Sequence, residues 1–184
     1  MDNYTSNSLK ISRQTTRHYS TSFSFGVRIL QKKFRLPVYA IYGFVRVADE
    51  IVDTFHEHHQ AEMLADFRRR TFEAIEQGIS TNPILHSFQW VVNGYHIDHD
   101  LIHAFLDSME MDLTDKEHTP ESFKKYVYGS AEVVGLMCLR VFYKDDDEGY
   151  ESLKYPAKKL GEAFQKINFL RDIRSDYKDR GRFY

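Results

Sequence analysis

PVYAIYGFVRVADEIVDTF, residues 37–55, carries apolar side chains three and four positions apart and no sustained alternation, the pattern of a helix that buries one face. Pro37 stands where a first-turn proline belongs, and the pattern fades at His56, His58 and His59. The spacing therefore predicts a helix that opens at Pro37 and ends near the histidines. Working outward, the same periodicity predicts a helix over about 61–77 and another from Asn82-Pro83 to Asn93-Gly94. The next is capped by Asp98 or Asp100 and turns Ile102, Phe105, Leu106 and Met109 inward. Thr119-Pro120-Glu121 opens a helix through Phe123, Val127, Val134 and Met137 to about Tyr143, where the acidic run DDDEG, residues 145–149, reads as a solvated loop. The last helix starts between Tyr150 and Pro156 and continues to about Tyr177. No repeat, linker or low-complexity tract divides the chain, so residues 1–184 read as one all-α domain.

Composition narrows the function classes. The 184 residues hold 25 Lys+Arg against 27 Asp+Glu, a net charge of -2. That balance supplies no field to hold nucleic acid, so an anion would be bound by local groups or a recruited metal. One cysteine excludes an internal disulfide framework and leans toward a reducing compartment, with the cytoplasm as the expected location. The longest stretch free of Asp, Glu, Lys and Arg, Gln77 to Ile97, is broken by Gly78, Asn82, Pro83, Asn93 and Gly94 and is no membrane span. The amino-terminal residues have no apolar core for a secretory signal.

Two acidic stripes carry the chemistry. Asp49 and Asp53 are four apart, which on a helix puts their β-carbons about 5–6 Å from each other on one face. They lie near a helix carboxyl end, where the macrodipole adds to their mutual repulsion. Taken alone they read equally well as surface acids paired with Arg46. A second stripe, Asn168, Asp172 and Asp176, repeats the spacing in the last helix. Carboxylate and amide oxygens are hard ligands suited to Mg²⁺, which shares its octahedron with water and phosphate oxygens. The matched stripes therefore point to a phosphorylated substrate bound through bridging metal. General acid/base work by paired carboxylates fits less well, because it needs one acid held neutral in an apolar setting.

HYSTSFSF at His18 to Phe25, YAIYGFVRVADEIVD at Tyr39 to Asp53, MEMDL at Met109 to Leu113, YVYGSAEVVG at Tyr126 to Gly135 and GEAFQKINFLRDIRSDYKDRGRFY at Gly161 to Tyr184 stand in this order along the chain. Together they resemble the squalene/phytoene synthase family. The resemblance implies an isoprenoid-synthase-type helical bundle around a central cavity, with the two acidic stripes on facing walls. It also implies Mg²⁺-dependent head-to-head joining of two isoprenoid diphosphates, with Mn²⁺ as a substitute metal. The leading expectation is two geranylgeranyl diphosphates joined to phytoene through the cyclopropyl intermediate prephytoene diphosphate. Squalene or dehydrosqualene formation from farnesyl diphosphate is the alternative, and only squalene would require NADPH. Another class also resembles the family, non-catalytic assembly factors that keep the fold as a scaffold.

By the same resemblance Asp49, Asp53, Asn168, Asp172 and Asp176 are the metal ligands, with Glu50 where many members have a further Asp. His18, Ser22 and Phe23 match the segment over the substrate. Tyr42, Arg46, Arg171, Arg182 and Tyr184 match positions near diphosphate or the developing cation, and Gln165 faces the reaction centre. Tyr128, Ala131, Val134 and Gly135 match the helix lining the isoprenoid tunnel. Members continue beyond the segment matching GRFY, so the expectation is a bundle incomplete at its carboxyl end. Such a chain is expected to be a poor catalyst by itself and to self-associate through apolar surface, and an apolar product allows peripheral membrane association. The remaining candidates read as structure: His56, His58 and His59 as a solvated helix end, His96 to Asp100 as loop and cap, Cys138 as a buried small hydrophobe, and Gly129, Ser130, Ala131 and Gly135 as close helix packing, the tunnel role of the last two coming only from the resemblance.

Overall fold

The computed structural model describes residues 1–114 and 119–175, with side chains to 172. Among these described residues nine α-helices follow one another: α1 (Asn3–Tyr19), α2 (Thr21–Ile29), α3 (Lys32–Asp53), α4 (Gln60–Gln77), α5 (Pro83–Tyr95), α6 (His99–Thr114), α7 (Pro120–Val127), α8 (Val133–Phe142) and α9 (Asp147–Ser175). A π-helical segment, Tyr128–Glu132, joins α7 to α8 without a break. No strand is present among the described residues.

Side chains set most of these boundaries. Asn82 Oδ1 accepts the Ile84 N–H at 2.9 Å ahead of Pro83, Thr119 Oγ1 accepts the Ser122 N–H at 3.2 Å ahead of Pro120, and Asp98 Oδ1 accepts the Asp100 N–H at 3.0 Å. Each satisfies a donor that the first helical turn leaves open. Gly78 closes α4 at φ 69°, in the left-handed region that costs a side chain least when it has none.

Two helices begin earlier than the sequence predicts. α3 starts at Lys32, so Pro37 is an interior residue. The hydrogen bond it forfeits belongs to the carbonyl of Lys33, an exposed residue that water reaches, while Phe34 and Leu36 extend the apolar face against the core. α9 starts at Asp147, inside the acidic run assigned to a loop. Asp146 Oδ1 accepts the Gly149 N–H at 2.8 Å, and Asp147 and Glu148 occupy the first turn, where the macrodipole favours negative charge.

The core is built around α3. Phe44, fully buried, stacks on Phe88 at 3.8 Å between centroids and meets Phe67 at 5.4 Å and Phe105 at 5.5 Å, so one ring joins α3 to α4, α5 and α6. α1 approaches α3 and α5 on a narrow face of buried Ser8, Ser12 and Thr16. A β-carbon on Gly43 would stand 3.0 Å from Ser12 Oγ, and that hydroxyl meets Ser87 Oγ at 2.6 Å. Small residues here let backbones close to a distance that larger ones would forbid.

The π-helical segment makes a second close approach. A β-carbon on Gly129 would fall 1.9 Å from Ser108 Oγ and 2.2 Å from the Ala104 carbonyl oxygen of α6. The packing reading of Gly129 is therefore correct. α9 lies against α8 and the π segment, with Gly161 seated where a β-carbon would be 3.0 Å from the Ala131 carbonyl oxygen. Its opposite side leaves Tyr155, Leu160, Phe164, Ile167 and Leu170 exposed. Among the described residues no helix is long and apolar enough to cross a membrane.

Candidate functional site

The first acidic stripe occupies the last two turns of α3, with Asp49 and Asp53 half-buried. Arg46, one turn earlier, forms an ion pair with Glu50. Its guanidinium also lies over the Tyr19 ring, 4.5 Å from the centroid, a contact in which the ring's negative face attracts the cation. Tyr42, one further turn back, is stacked by Phe23 of α2 at 4.7 Å with 25° between planes. Burial pushes the Tyr42 hydroxyl above its usual range; a hydrogen bond with the Ser20 side chain and the charge of Arg46 oppose that shift, and Asp49 adds to it. Tyr42, Arg46, Asp49 and Phe23 therefore share one neighbourhood at the junction of α1, α2 and α3.

Arg46 Nε is buried there without a hydrogen-bond partner. A buried N–H of a charged group left unpaired costs several times what an ordinary hydrogen bond contributes. Such a donor fits an anion's oxygen, and guanidinium is the side chain best matched to phosphate.

The second stripe lies on α9, where Gln165, Asn168 and Asp172 are half-buried along one side. Asp172 is gripped by Arg171, whose Nε and terminal nitrogen donate to its two carboxylate oxygens at 2.8 and 2.6 Å. Asp176, Arg182 and Tyr184 lie outside the described residues. α3 and α9 do not stand isolated from each other, since both pack against α8.

The other candidates scatter. His18 and Ser22 are exposed, and His18 meets Tyr19 edge-on at 5.4 Å. Ala131 and Val134 are half-buried in the π segment and the start of α8. Tyr128 lines a cavity of about 370 Å³ with His96, Leu101, Arg140, Tyr150 and Lys158, its ring 4.8 Å beneath the Lys158 ammonium. Tyr126, two residues earlier and thus on roughly the opposite side of its helix, meets α9 at a second place, further along that helix. It is 5% exposed, donates its hydroxyl to Asp112 Oδ2 at 3.1 Å, and its ring lies 6.0 Å from Phe169, the neighbour of Asn168. Tyr19, Ser20, Asp112 and Tyr126 are absent from the sequence-based list. The three-residue step from Phe123 to Tyr126 was the available signal, because it puts both rings on one face.

The donor chemistry suits a hard cation. Among the described residues no three His, Cys, Asp or Glu side chains converge to hold a metal unaided. Mg²⁺ as a rule takes one or two carboxylates and completes its shell with water and substrate phosphates. Asp49 and Asp53 on α3, and Asn168 and Asp172 on α9, are the described residues that would hold it. The histidines at 56, 58 and 59 are exposed, as expected of a solvated helix end. Burial pushes the Cys138 thiol up to about 12, which leaves it inert.

Comparison with known proteins bears on these groups. The profile of the squalene/phytoene synthase family matches residues 16–184. The 4,4'-diapophytoene synthase of Staphylococcus haemolyticus is 30% identical over 178 residues, covering 93% of this chain and 59% of its own length. The phytoene synthase of Arthrospira platensis is 28% identical, with 97% of this chain and 61% of its own covered. A solved dehydrosqualene synthase superposes with a TM-score of 0.85 at 26% identity, over 98% of this chain and 61% of that one. A squalene synthase from Alicyclobacillus acidocaldarius has a TM-score of 0.86 at 22% identity and shares the fold, over 100% of this chain and 68% of that one. The chain thus spans about three-fifths of the length of the first two relatives. With its all-helical architecture, its acidic stripes on α3 and α9, and a profile match running from α1 to the last residue, the chain belongs to the squalene/phytoene synthase family.

Proposed function

We propose that the protein joins two isoprenoid diphosphates head to head, with the α3 and α9 stripes holding one shared metal–diphosphate cluster. The observation that carries this reading is Arg46, whose buried Nε lacks a protein partner beside Asp49 and Tyr42. Arg46 and the Tyr42 hydroxyl donate to diphosphate oxygens, and Asp49, Asp53, Asn168, Asp172 and Asp176 supply the hard ligands. Mg²⁺ held there would neutralise negative charge developing on the departing diphosphate, favouring ionisation of the allylic C–O bond with no need of a protein nucleophile. An outer face of the stacked Phe23–Tyr42 pair would shield and stabilise the positive carbon by its quadrupole. Ala131 and Val134, both half-buried, would line the path of the isoprenoid chain, an apolar wall of the kind that keeps water from quenching a cation.

Phytoene from two geranylgeranyl diphosphates remains the leading product. Dehydrosqualene from farnesyl diphosphate is a second reading, favoured by the diapophytoene synthase relative and the dehydrosqualene synthase neighbour. Incubation with each diphosphate and Mg²⁺, with and without NADPH, followed by identification of the hydrocarbon, separates the products. Binding of Mn²⁺ with inorganic diphosphate tests the site itself, and Asp49→Asn is expected to weaken it at least tenfold, in keeping with the loss of a direct ligand. A scaffold without catalysis would show no product and unchanged binding in Asp49→Asn.

A further inference from the structure

The motif MEMDL has no part in the chemistry above, yet its Asp112 meets two other motifs of the chain. Asp112 Oδ2 accepts the Tyr126 hydroxyl at 3.1 Å, joining the last turn of α6 to the end of α7. Tyr126 and Phe123, on one face of α7, flank Phe169 of α9 at centroid separations of 6.0 and 5.6 Å. Phe169 directly follows Asn168 and stands one turn before Asp172. A carboxylate, a tyrosine and a phenylalanine from three separate motifs thus form one path from α6 to the second stripe.

We infer that Asp112 is a positioning residue: by fixing the Tyr126 hydroxyl it seats Phe169 and sets the rotation of α9 that aims Asn168 and Asp172. The geometry makes α9 sensitive to this. Its first half is keyed into the π segment at Gly161 and by the Lys158–Glu132 pair at 3.5 Å, and past Gly161 the Phe169 ring adds a contact with α7. Side-chain ends lie about 5–6 Å from a helix axis, so a roll of about 10° displaces them by about 1 Å. Mg²⁺ accepts oxygens only near 2.0–2.1 Å and in near-octahedral order, as a rule, so such a roll removes a ligand. Tyr126, nearly inaccessible to solvent, also needs a partner for its hydroxyl, and a carboxylate is a stronger acceptor than a neutral group.

The inference rests on the proposed metal–diphosphate site, and two measurements keep them separate. Hydrogen exchange on the chain without added metal reads the attachment alone: Asp112→Ala and Tyr126→Phe are expected to speed exchange at amides 165–172 while leaving α5 unchanged. Exchange unchanged at those amides overturns the inference, whatever the site binds. The second measurement is the affinity for Mn²⁺ with inorganic diphosphate, followed by calorimetry well below the melting temperature. Asp112→Ala is expected to weaken it about tenfold, as removal of an outer-shell partner does, and Asp112→Asn, which keeps an acceptor oxygen, to restore most of the loss. The double variant with Tyr126→Phe is expected to be no worse than either single one. A lower melting temperature with unaltered affinity makes Asp112 merely structural and overturns the inference. Asp172→Asn is the control: if it binds as tightly as the unaltered chain, the site reading fails, while the exchange result still decides the role of Asp112.

Discussion

α3 and α9 each carry an acidic stripe, but they are held in opposite ways. α3 runs through the bundle with Phe44 and Ala48 fully buried and neighbours on most sides, so Asp49 and Asp53 are fixed by the core itself. α9 touches α8 and the π segment along one side and turns Leu160, Ile167 and Leu170 outward. A ligand on α3 moves only if the core moves. A ligand on α9 depends on a few contacts, among them Gly161, Lys158 and Phe169.

Phe44→Ala breaks the comparison on the α3 side. It removes the ring shared by Phe67, Phe88 and Phe105 and is expected to cost about 3–5 kcal/mol, read as a large fall in denaturant midpoint. An equivalent loss from Leu170→Ala, whose side chain is 72% exposed, would show that α9 is as deeply anchored as α3.

A smaller effect sharpens how α1 is held to the same core. His86 of α5 is buried, with Nδ1 facing the Ser80 backbone N–H at 3.3 Å, so Nδ1 is the acceptor and Nε2–H donates to Thr5 Oγ1 at 2.9 Å. Thr5 in turn donates to Asp2 at 2.7 Å. Burial lowers the His86 pKa below 6.5, with the Asp2 charge opposing. The unfolded chain therefore binds the proton more readily, and stability rises with pH through this window. The contribution is full above pH 6.5 and is lost as the pH falls from there through the folded-state value. Denaturant midpoints between pH 7.5 and 5 are expected to decline, and His86→Gln to flatten that decline; an identical slope in the variant would assign it to other groups.

The smallest effect concerns the outward face of α9. Leu160→Lys and Ile167→Lys, both at exposed sites, are expected to change stability by no more than about 0.5 kcal/mol. They should nonetheless reduce any concentration-dependent association seen by sedimentation, because a contiguous apolar face drives contact. Association unaltered in the double variant would place the sticky surface elsewhere, for instance at Phe25 and Ile29 of α2.

Local signals made the helices from α3 onward readable, whereas α1 and α2 were not read from the sequence. Asn82-Pro83, Thr119-Pro120 and Asp98 announce boundaries because a cap acts within three residues. The spacing of Asp49 and Asp53 was readable for the same reason, since they lie on consecutive turns of one helix, whereas Tyr42 and Arg46 entered only through the family resemblance. Pro37 misled because its missing hydrogen bond falls on an exposed carbonyl, a fact of the fold and not of the pattern. Asp112 and Tyr126 went unassigned because their meaning comes from contact across 14 positions. Periodicity cannot show that Tyr126 and Tyr128 both face α9, one at Phe169 and the other at Lys158. The acidic run at 145–149 reads as loop by charge alone, yet charge of that sign is what a helix start accepts.

The π segment between α7 and α8 has a geometric consequence of its own. Its five residues, Tyr128–Glu132, carry about one residue more than the same span of α-helix would need, so everything after it is turned by about 100°. Deleting Ser130 would give a more regular rod and satisfy every backbone bond, yet it would swing Val133, Leu136 and Met137, all buried now, off the core. The irregularity works as a phase adjuster, and it lets two amphipathic stretches written in different registers share one unbroken rod.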